Sequence, residues 1–233
     1  MAGHDTPDSA DTLDPVDPVE IEVKLGVEEP DVIRALLTAP PPDGIAGFVP
    51  AGPPRPTIAT DRYLDTADPA GRLDAAGLRA RLREEDGKVV LALKTEGQRD
   101  GDVHHRLELE GPATRSLDPA SWPPSTARTR LLAASAGEPL RVIAALRQRR
   151  LKRRFRYSDT EIEISLDEME ALDGTLVVAR RAELEAELVV GDPAALHGLA
   201  TTLRGIAGVV DPSGSKLRFA QEALAAHRAA QGC

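Results

Sequence analysis

The sequence predicts an α+β fold built on an antiparallel β-sheet of many strands or on a β-barrel. Two observations support this fold class. Eight segments alternate charged or polar residues with aliphatic ones, which is the period of a strand with two different faces. Five other segments space their apolar residues as a helix does. Because strand segments dominate the chain, an all-helical fold is excluded.

The predicted strands follow one another along most of the chain. They are 19–25 (VEIEVKL), 57–66 (TIATDRYLDT), 77–84 (GLRARLRE), 88–96 (KVVLALKTE), 103–111 (VHHRLELEG), 149–157 (RRLKRRFRY), 160–168 (TEIEISLDE) and 182–190 (AELEAELVV). Asp86 and Gly87 separate the third strand from the fourth, and this dipeptide is a strong signal for a two-residue hairpin turn. These two strands are therefore predicted to pair with each other.

Helices and breaks divide the rest of the chain. The predicted helices lie at 31–37, around 127–134, and at 139–146, 193–203 and 215–228. Pro139 and Pro193 stand at the first position of two of them, where proline is favoured. The proline- and glycine-rich segment 39–56 predicts a long loop. We expect one domain at 19–228, a disordered acidic tail at 1–18 and a flexible C-terminal segment at 229–233.

Composition limits the class of protein. Hydrophobic residues make up 41% of the 233 residues and aromatic residues only 3%, so the core must be aliphatic. The net charge of -9 argues against bulk binding of nucleic acid. The single cysteine, Cys233, cannot form an internal disulfide, and neither a signal sequence nor a run of about 18 apolar residues is present. We expect a cytoplasmic protein without nucleic-acid or membrane partners; its oligomeric state is left open, with a homodimer as one option.

One face of most predicted strands is charged, and the sign of the charge differs between strands. Acidic residues dominate 160–168 and 182–190, whereas 77–84 places three arginines on one face. The solvent-exposed face of an open sheet would explain the charged pattern of any one of these strands. Like charges side by side repel, however, unless opposite charges offset them. The segregation by strand therefore favours a closed barrel with its charges inside and its aliphatic residues outside, beneath the helices.

Such an interior has a chemical use. A barrel of about eight strands leaves room for side chains or one small ligand. Rows of carboxylates would hold hard divalent cations through oxygen. Rows of arginine and lysine would neutralise phosphate oxygens. A metal-bound polyphosphate uses both rows at once, so the pattern predicts a site for this class of ligand.

Motifs in a fixed order connect the chain to a known family. EIEVK (Glu20, Glu22 and Lys24) resembles the E-x-E-x-K signature of the CYTH superfamily, the triphosphate tunnel metalloenzymes. RYLDT, LRAR, LALKTEG, RLELE, RQRR, ISLDEM, ELEAEL and a late SK follow in the order of that family. The resemblance extends from Glu20 to Lys216. It implies a closed or nearly closed eight-stranded antiparallel β-barrel, the triphosphate tunnel, with a charged lumen and helices packed on the outside.

The resemblance also implies roles for individual residues. Glu20, Glu22 and Lys24 would be catalytic. The phosphate-binding residues would be Lys24, Arg79, Arg81, Lys94, Arg106, Arg150 and Lys216. The ligands of Mg²⁺ or Mn²⁺ would be Glu20, Glu22, Glu108, Asp167, Glu185 and Glu187. Three choices stay open: Arg149 or Arg153 could face the tunnel instead of Arg150, Glu183 with Glu185 could be the late acidic pair, and the matching positions in HHRLELE could shift by two residues.

The expected function is metal-dependent hydrolysis of a triphosphate, with inorganic tripolyphosphate as the first choice of substrate. The alternatives are thiamine or nucleoside triphosphatase activity, ATP cyclisation, and a module that binds polyphosphate or a nucleotide without catalysis. The many carboxylates argue against a pure anion-binding module, and the few aromatic residues argue against an adenine pocket. His104 and His105 lack a third histidine or a cysteine nearby, so we expect exposed strand positions there.

Overall fold

Eight long antiparallel strands close into a barrel in the computed structural model, which describes residues 19–67, 71–212 and 214–232. The strands are β1 (Val19–Val27), β3 (Arg55–Thr66), β4 (Leu78–Glu85), β5 (Lys88–Thr95), β7 (Val103–Pro112), β8 (Leu140–Tyr157), β9 (Thr160–Asp173) and β10 (Leu176–Val190). Their order around the ring is β1, β10, β9, β8, β3, β4, β5 and β7, and β7 pairs with β1 to close it. The predicted α+β fold with a closed eight-stranded barrel is confirmed.

Shorter elements surround the ring. Within the described residues, β2 (Val49–Pro50), β6 (Gln98–Asp100) and β11 (Val209–Val210) pair with β8, β7 and β1. The helices are α1 (Pro30–Thr38), α2 (Arg72–Ala75), α3 (Thr126–Ser135), α4 (Ala195–Arg204) and α5 (Lys216–Ala230). Ser125 and Ser215 cap α3 and α5 by accepting a hydrogen bond from a backbone N–H of the first turn. None of the described helices has both the length and the apolar character that a membrane span requires.

All eight predicted strands and four of the predicted helices are present among the described residues, and the prediction for 139–146 is wrong. From Leu140 this segment is the first part of β8, where it pairs with β3, and its last two residues, Ala145 and Leu146, also pair with β9. Val142 and Ile143 are β-branched, which suits a strand better than a helix. The pairing on both sides outweighs the local helical signal of Pro139. α5 extends to Ala230, past the expected domain end at 228, and the predicted tail at 1–18 lies outside the described residues.

The aliphatic faces of the barrel strands lie beneath the helices. One buried cluster joins Leu25 of β1, Ile164 of β9 and Leu184 of β10 to Ile33 of α1 and Leu199 of α4. A second cluster joins β4, β5 and β7 to α2 and α3, and its members include Leu82, Leu91, Leu109, Leu73 and Leu131. Because neighbouring residues of a strand point to opposite faces, the charged residues between these aliphatic ones point into the barrel.

α5 covers one end of the barrel interior. Leu146 of β8 and Ala171 of β9 form a third buried cluster with Ala220 and Leu224 of α5. Leu146 alternates with the inward-facing Gln148, so this cluster lies on the inner face of the strands. The interior is therefore apolar at the end that α5 covers and charged over the remainder.

Leu25→Ala should lower the free energy of unfolding by about 2–5 kcal/mol, because it leaves a cavity in the cluster beneath α1 and α4. Leu25 is 0% exposed in that cluster. The matched control is Ile58→Ala on the outer face of β3, where Ile58 is 64% exposed, and its effect should stay within about 0.5 kcal/mol. Urea unfolding monitored by circular dichroism measures both. Similar losses of stability for the two variants would contradict the burial of Leu25 beneath α1 and α4.

Candidate functional site

The inner faces of the strands enclose a cavity of about 570 Å³. Its charged lining residues are Glu20, Lys24, Arg79, Arg81, Arg83, Lys94, Arg106, Glu108, Glu110, Arg150, Lys152, Glu185, Glu187 and Lys216. The other lining residues are Val19, Tyr63, Ser215 and Leu217. The ring of strands thus brings acidic and basic side chains from distant parts of the chain into one enclosed space.

All residues that the sequence predicts for the site line this cavity, except Glu22 and Asp167. These two lie just beneath its wall, at 2% and 0% exposure. Glu22 accepts a hydrogen bond of 2.6 Å from the lining residue Arg106, and Asp167 accepts one of 2.8 Å from Arg150. The predicted set is therefore brought together in space, with two members in a supporting position.

Glu20 of β1 lies between two cations. Its carboxylate accepts hydrogen bonds from Lys94 at 3.1 Å and from Arg106 at 2.5 Å. Burial raises the pKa of Glu20, but Lys94 and Arg106 outweigh this effect and lower the pKa to about 2. Glu20 is therefore ionised at neutral pH, and Arg106 links it to Glu22.

Glu185 of β10 is the centre of a second group of charges. It forms ion pairs with Lys24 at 2.7 Å, Lys216 at 3.2 Å and Arg150 at 3.4 Å. Burial raises the pKa of Glu185, but Lys216, Lys24 and Arg150 outweigh it and hold the pKa well below its usual range. Asp167 contacts Lys216 and Arg150 from the other side. Lys216 is the first residue of α5, so the helix contributes a cation to the cavity.

Glu187 differs from Glu20, Glu108 and Glu185, which line the same cavity. It makes no ion pair with any described residue. Desolvation at the cavity wall, followed by the carboxylates of Glu20, Glu185 and Glu22, raises its pKa to about 7, although solvent still reaches its side chain. Negative charge is therefore in local excess around Glu187, and a cation bound there would be stabilised.

The donor chemistry fits a divalent cation. β1 and β10 pair so that Glu22 lies opposite Glu187 and Lys24 opposite Glu185. Together with Glu20 they present carboxylate oxygens, the ligands that Mg²⁺ and Mn²⁺ prefer. Within the described residues, no three histidine, cysteine, aspartate or glutamate side chains converge closely enough to hold an ion as they stand. Apart from Glu187, the carboxylates engage lysine and arginine instead.

Comparison with known proteins identifies the family. Residues 18–218 match the CYTH domain family. The chain belongs to the CYTH family. Among curated proteins, no sequence matches this chain.

Two solved structures share the CYTH barrel of this chain. HpAC1 from Hippeastrum, described as a candidate adenylyl cyclase, has 21% sequence identity over 87% of this chain and 95% of its own, with a TM-score of 0.61. A candidate adenylate cyclase from Bacillus halodurans has 19% identity over 86% of this chain and 96% of its own, with a TM-score of 0.54. At this level of identity the similarity shows the common fold.

The CYTH barrel settles which arginine of β8 faces inward. Arg150 lines the cavity, whereas Arg149 is exposed on the outer face. Arg153 lies outside the barrel, where it donates to the backbone carbonyls of Gly52 at 2.9 Å and Leu37 at 2.7 Å. Glu183 faces inward but is 1% exposed, pairs with Arg181 and does not line the cavity. Of these three arginines of β8, Arg150 is therefore the one that lines the cavity.

Seven residues that line the cavity lie outside the set predicted from the sequence: Val19, Tyr63, Arg83, Glu110, Lys152, Ser215 and Leu217. Three of them were detectable, because Arg83, Glu110 and Lys152 each lie two residues after a predicted site residue on the same face of a strand. Burial, followed by Asp61, raises the pKa of Tyr63 to about 12. Its hydroxyl therefore stays protonated at neutral pH and is available as a hydrogen-bond donor.

Asp61 of β3 anchors two of the arginines of the CYTH cavity. Its fully buried carboxylate accepts two hydrogen bonds of 2.8 Å from Arg83 and one of 3.4 Å from Arg81, and Gln148 donates to it as well. Burial raises the pKa of Asp61, but Arg81 and Arg83 outweigh it and hold the pKa below its ordinary value. Asp61 thus fixes these guanidinium groups at the wall.

Two residues of the RYLDT motif support the fold instead of lining the site. The carboxylate of Asp65 accepts hydrogen bonds from the backbone N–H groups of Thr66 at 2.7 Å and Leu73 at 2.9 Å. Thr66 accepts one of 3.0 Å from the backbone N–H of Arg72. Gly71 has a φ of +65°, and a Cβ there would lie 2.5 Å from the Asp65 carboxylate. These contacts attach α2 to the end of β3.

The expectation of exposed histidines on β7 is wrong, since His104 and His105 are both half-buried. His104 shares the inner face with Arg106 and accepts a hydrogen bond of 3.2 Å from Arg99. Burial, followed by the positive charges of Arg99 and Lys24, lowers its pKa to about 4. His104 is therefore neutral at physiological pH.

Asp61→Asn should lower the free energy of unfolding by about 3–5 kcal/mol, because it leaves the charges of Arg81 and Arg83 uncompensated in a buried site. The depressed pKa of Asp61 means that the wild type keeps this stabilisation above the ordinary carboxyl value of 3.8 and loses it as the pH falls further. The control is Asp31→Asn, whose side chain is 94% exposed, with an expected change of at most about 1 kcal/mol. Urea unfolding at neutral pH compares them; an equally small loss for both would contradict the anchoring role.

Proposed function

We propose that the protein is a metal-dependent triphosphatase that hydrolyses inorganic tripolyphosphate. The observation on which this rests is the shared cavity, in which carboxylates of β1 and β10 face arginines and lysines of β4, β5 and β8. Membership of the CYTH family supports an enzyme that acts on a triphosphate. HpAC1 from Hippeastrum, which has the same fold, is described as having a dominant triphosphatase activity.

The basic side chains of the cavity suit a phosphate chain. Arg79 lines the cavity and makes no ion pair with any described residue, so it is free to bind an anion. Arg81 lies two residues after Arg79 on β4, and Lys94 lies opposite Arg79 on the paired strand β5. Arginine binds phosphate oxygens through two parallel N–H groups, and lysine acts as a point charge. These residues would position the phosphates along one wall.

The ion pairs of the cavity support a substrate that carries its own cation. Each carboxylate of the predicted metal-binding set, except Glu187, is paired with a cation of the predicted phosphate-binding set, as Glu20 is with Lys94 and Glu185 with Lys24. A buried charge that loses its partner is destabilising. When a metal–triphosphate complex enters, the carboxylates would exchange their cations for the metal and the cations would bind phosphate. Every buried charge then keeps a partner of opposite sign.

Glu20, Glu22, Glu185 and Glu187 would hold Mg²⁺ or Mn²⁺. A bound divalent cation would supply neutralisation of the charge that develops on the phosphates and a lower pKa for an attacking water. Glu108 of β7 belongs to neither β1 nor β10 and pairs with Lys94 at 2.9 Å, so it has less support as a ligand. The fully buried Asp167 has weaker support still, since it lies beneath the wall between Arg150 and Lys216. We assign Asp167 the positioning of these two cations.

The chain itself would mainly position the phosphates and stabilise their charge, which is what phosphoryl transfer requires of a protein. Burial lowers the pKa of Lys24, but Glu185, Glu22 and Glu183 outweigh it and raise the pKa above its usual range. Lys24 therefore stays an ammonium ion. Its catalytic role would be to stabilise negative charge on the transferring phosphoryl group and not to accept a proton from water.

The lining of the cavity favours an inorganic substrate. Of the described residues that line it, Tyr63 is the only aromatic one, and Val19 and Leu217 are the only aliphatic ones. A nucleobase or a thiamine ring needs apolar or aromatic surface to stack on. Tripolyphosphate needs only charge and hydrogen-bond donors. We therefore rank tripolyphosphate above the alternatives, which are thiamine or nucleoside triphosphatase activity, ATP cyclisation and binding without turnover.

Phosphate release tests the proposed function. The purified protein is incubated with tripolyphosphate, ATP or thiamine triphosphate, each with Mg²⁺, Mn²⁺ or EDTA. We expect release from tripolyphosphate that requires a divalent cation and exceeds release from the two organic substrates. Tight binding of tripolyphosphate without release would support the binding module, and formation of cyclic AMP from ATP would support the cyclase.

Glu22→Gln should reduce phosphate release to the level measured in EDTA, because the neutral amide no longer offsets the charge of the metal. The fold should persist, since Arg106 keeps its contact with Glu20 and Lys24 keeps its contact with Glu185. The control is Glu84→Gln on the outer face of β4, where Glu84 pairs with Arg115. Metal-dependent release that survives in the folded Glu22 variant would refute the metal assignment.

Arg81→Ala should raise KM for tripolyphosphate by about 10- to 100-fold, as expected for the loss of a charge-assisted hydrogen bond, and should change kcat less. Arg149→Ala removes an exposed arginine from the outer face of β8 and should leave both constants unchanged. Initial rates over a range of substrate concentrations give KM and kcat, and thermal melts check folding because Arg81 also contacts Asp61. A wild-type KM in a folded Arg81 variant would contradict its binding role.

A further inference from the structure

Lys152 of β8 and Arg83 of β4 line the cavity but lie outside the set of cations that the family resemblance assigns to a triphosphate. Each lies two residues beyond a member of that set on the same face, Lys152 after Arg150 and Arg83 after Arg81. The basic surface of this cavity is therefore longer than the predicted triphosphate site.

Lys152 has no close anionic partner. Among the described residues its one ion pair is with Glu163, at 3.5 Å, whereas charge-assisted hydrogen bonds measure about 2.7–2.9 Å. Burial and then the neighbouring Arg150 lower the pKa of Lys152, against the smaller opposing effects of Glu163 and Glu85. A largely buried ammonium group thus lies beside another cation without a hydrogen-bonded carboxylate. An anion placed in the cavity would stabilise it.

Arg83 extends the same surface on β4, which is separated from β8 by β3 alone. Asp61 holds its Nε and Nη2 atoms and so fixes the guanidinium at the cavity wall. Arg79, Arg81 and Arg83 form a row of inward-facing cations that spans five residues of β4, or about 13 Å at the rise of a strand. Tripolyphosphate, with three phosphorus atoms joined by two bridging oxygens, is shorter than this row. A longer chain of the same chemistry would reach its far end.

We propose that Lys152, with Arg83 beside it, forms an additional phosphate subsite, and that the cavity binds linear polyphosphates of four or more units more tightly than tripolyphosphate. This inference rests on the proposed function for the position of the first three phosphates. The fourth phosphate would accept hydrogen bonds from the Lys152 ammonium and replace the distant carboxylate of Glu163 as its partner.

Calorimetric titration of the protein with tripolyphosphate and with tetrapolyphosphate tests the subsite. Each titration is carried out once in the presence of Ca²⁺ and once in the presence of EDTA. We expect the wild type to bind tetrapolyphosphate about tenfold more tightly, as one additional charge-assisted hydrogen bond provides. Lys152→Met should remove this advantage and leave the affinity for tripolyphosphate within about twofold. Lys152→Arg should keep the advantage, and the outward-facing Arg149→Met serves as the matched control.

The outcomes separate the subsite from the proposed function. Equal affinities for the two anions, no binding of tetrapolyphosphate, or equal losses for both anions in a folded Lys152→Met variant would overturn the subsite. Phosphate release with Mg²⁺ is measured on the same samples. A Lys152-dependent preference without release would retain the subsite and refute hydrolysis, whereas release from tripolyphosphate with no such preference would refute only the subsite.

Discussion

Mutual neutralisation of buried charges is the constraint on which the rest of this structure depends. The barrel encloses carboxylates, guanidinium groups and ammonium groups at low exposure, and each would be destabilising alone. Pairs such as Glu20 with Arg106 and Glu185 with Lys24 make the enclosed arrangement stable. These pairs form only when strands from both ends of the chain are in register. The electrostatics therefore specify the same closed ring that the backbone hydrogen bonds build.

The same constraint explains where the helices lie. With the polar faces of the strands turned inward, the aliphatic faces point outward and would be exposed without a cover. α1 and α4 cover one side of the barrel and α2 and α3 another. α5 differs, because it packs on the inner apolar surface near Leu146 and brings Lys216 to the carboxylates of Asp167 and Glu185. α5 therefore contributes both to the packing of the apolar core and to the neutralisation of buried carboxylates.

Strand periodicity made most of the barrel predictable. A two-residue period assigns each side chain to a face, so the inward positions of Glu20, Arg81 and Glu187 follow once the ring is closed. Local patterns failed at 139–146, where hydrogen bonds to β3 and β9 outweigh the helical signal. Arg83 and Lys152 were missed because family motifs were carried over only at matching positions.

The anchoring role of Asp61 could not be predicted from the sequence. Asp61 lies directly opposite Arg83 where β3 pairs with β4, and the spacing of residues along β3 does not reveal this register. The half-burial of His104 has a similar origin, because it depends on how β7 lies against β1 and β6 in three dimensions. Both features depend on which strands become neighbours and on the register in which they pair, and a single sequence reveals neither.

The position of β1 has a consequence for how the protein is made. β1 pairs with β7 on one side and with β10, near the other end of the chain, on its second side. During synthesis β1 therefore waits for its second neighbour until the seven other strands of the ring have emerged from the ribosome. Folds with such distant pairings assemble slowly, and their unpaired edges stay open to association until the ring is complete.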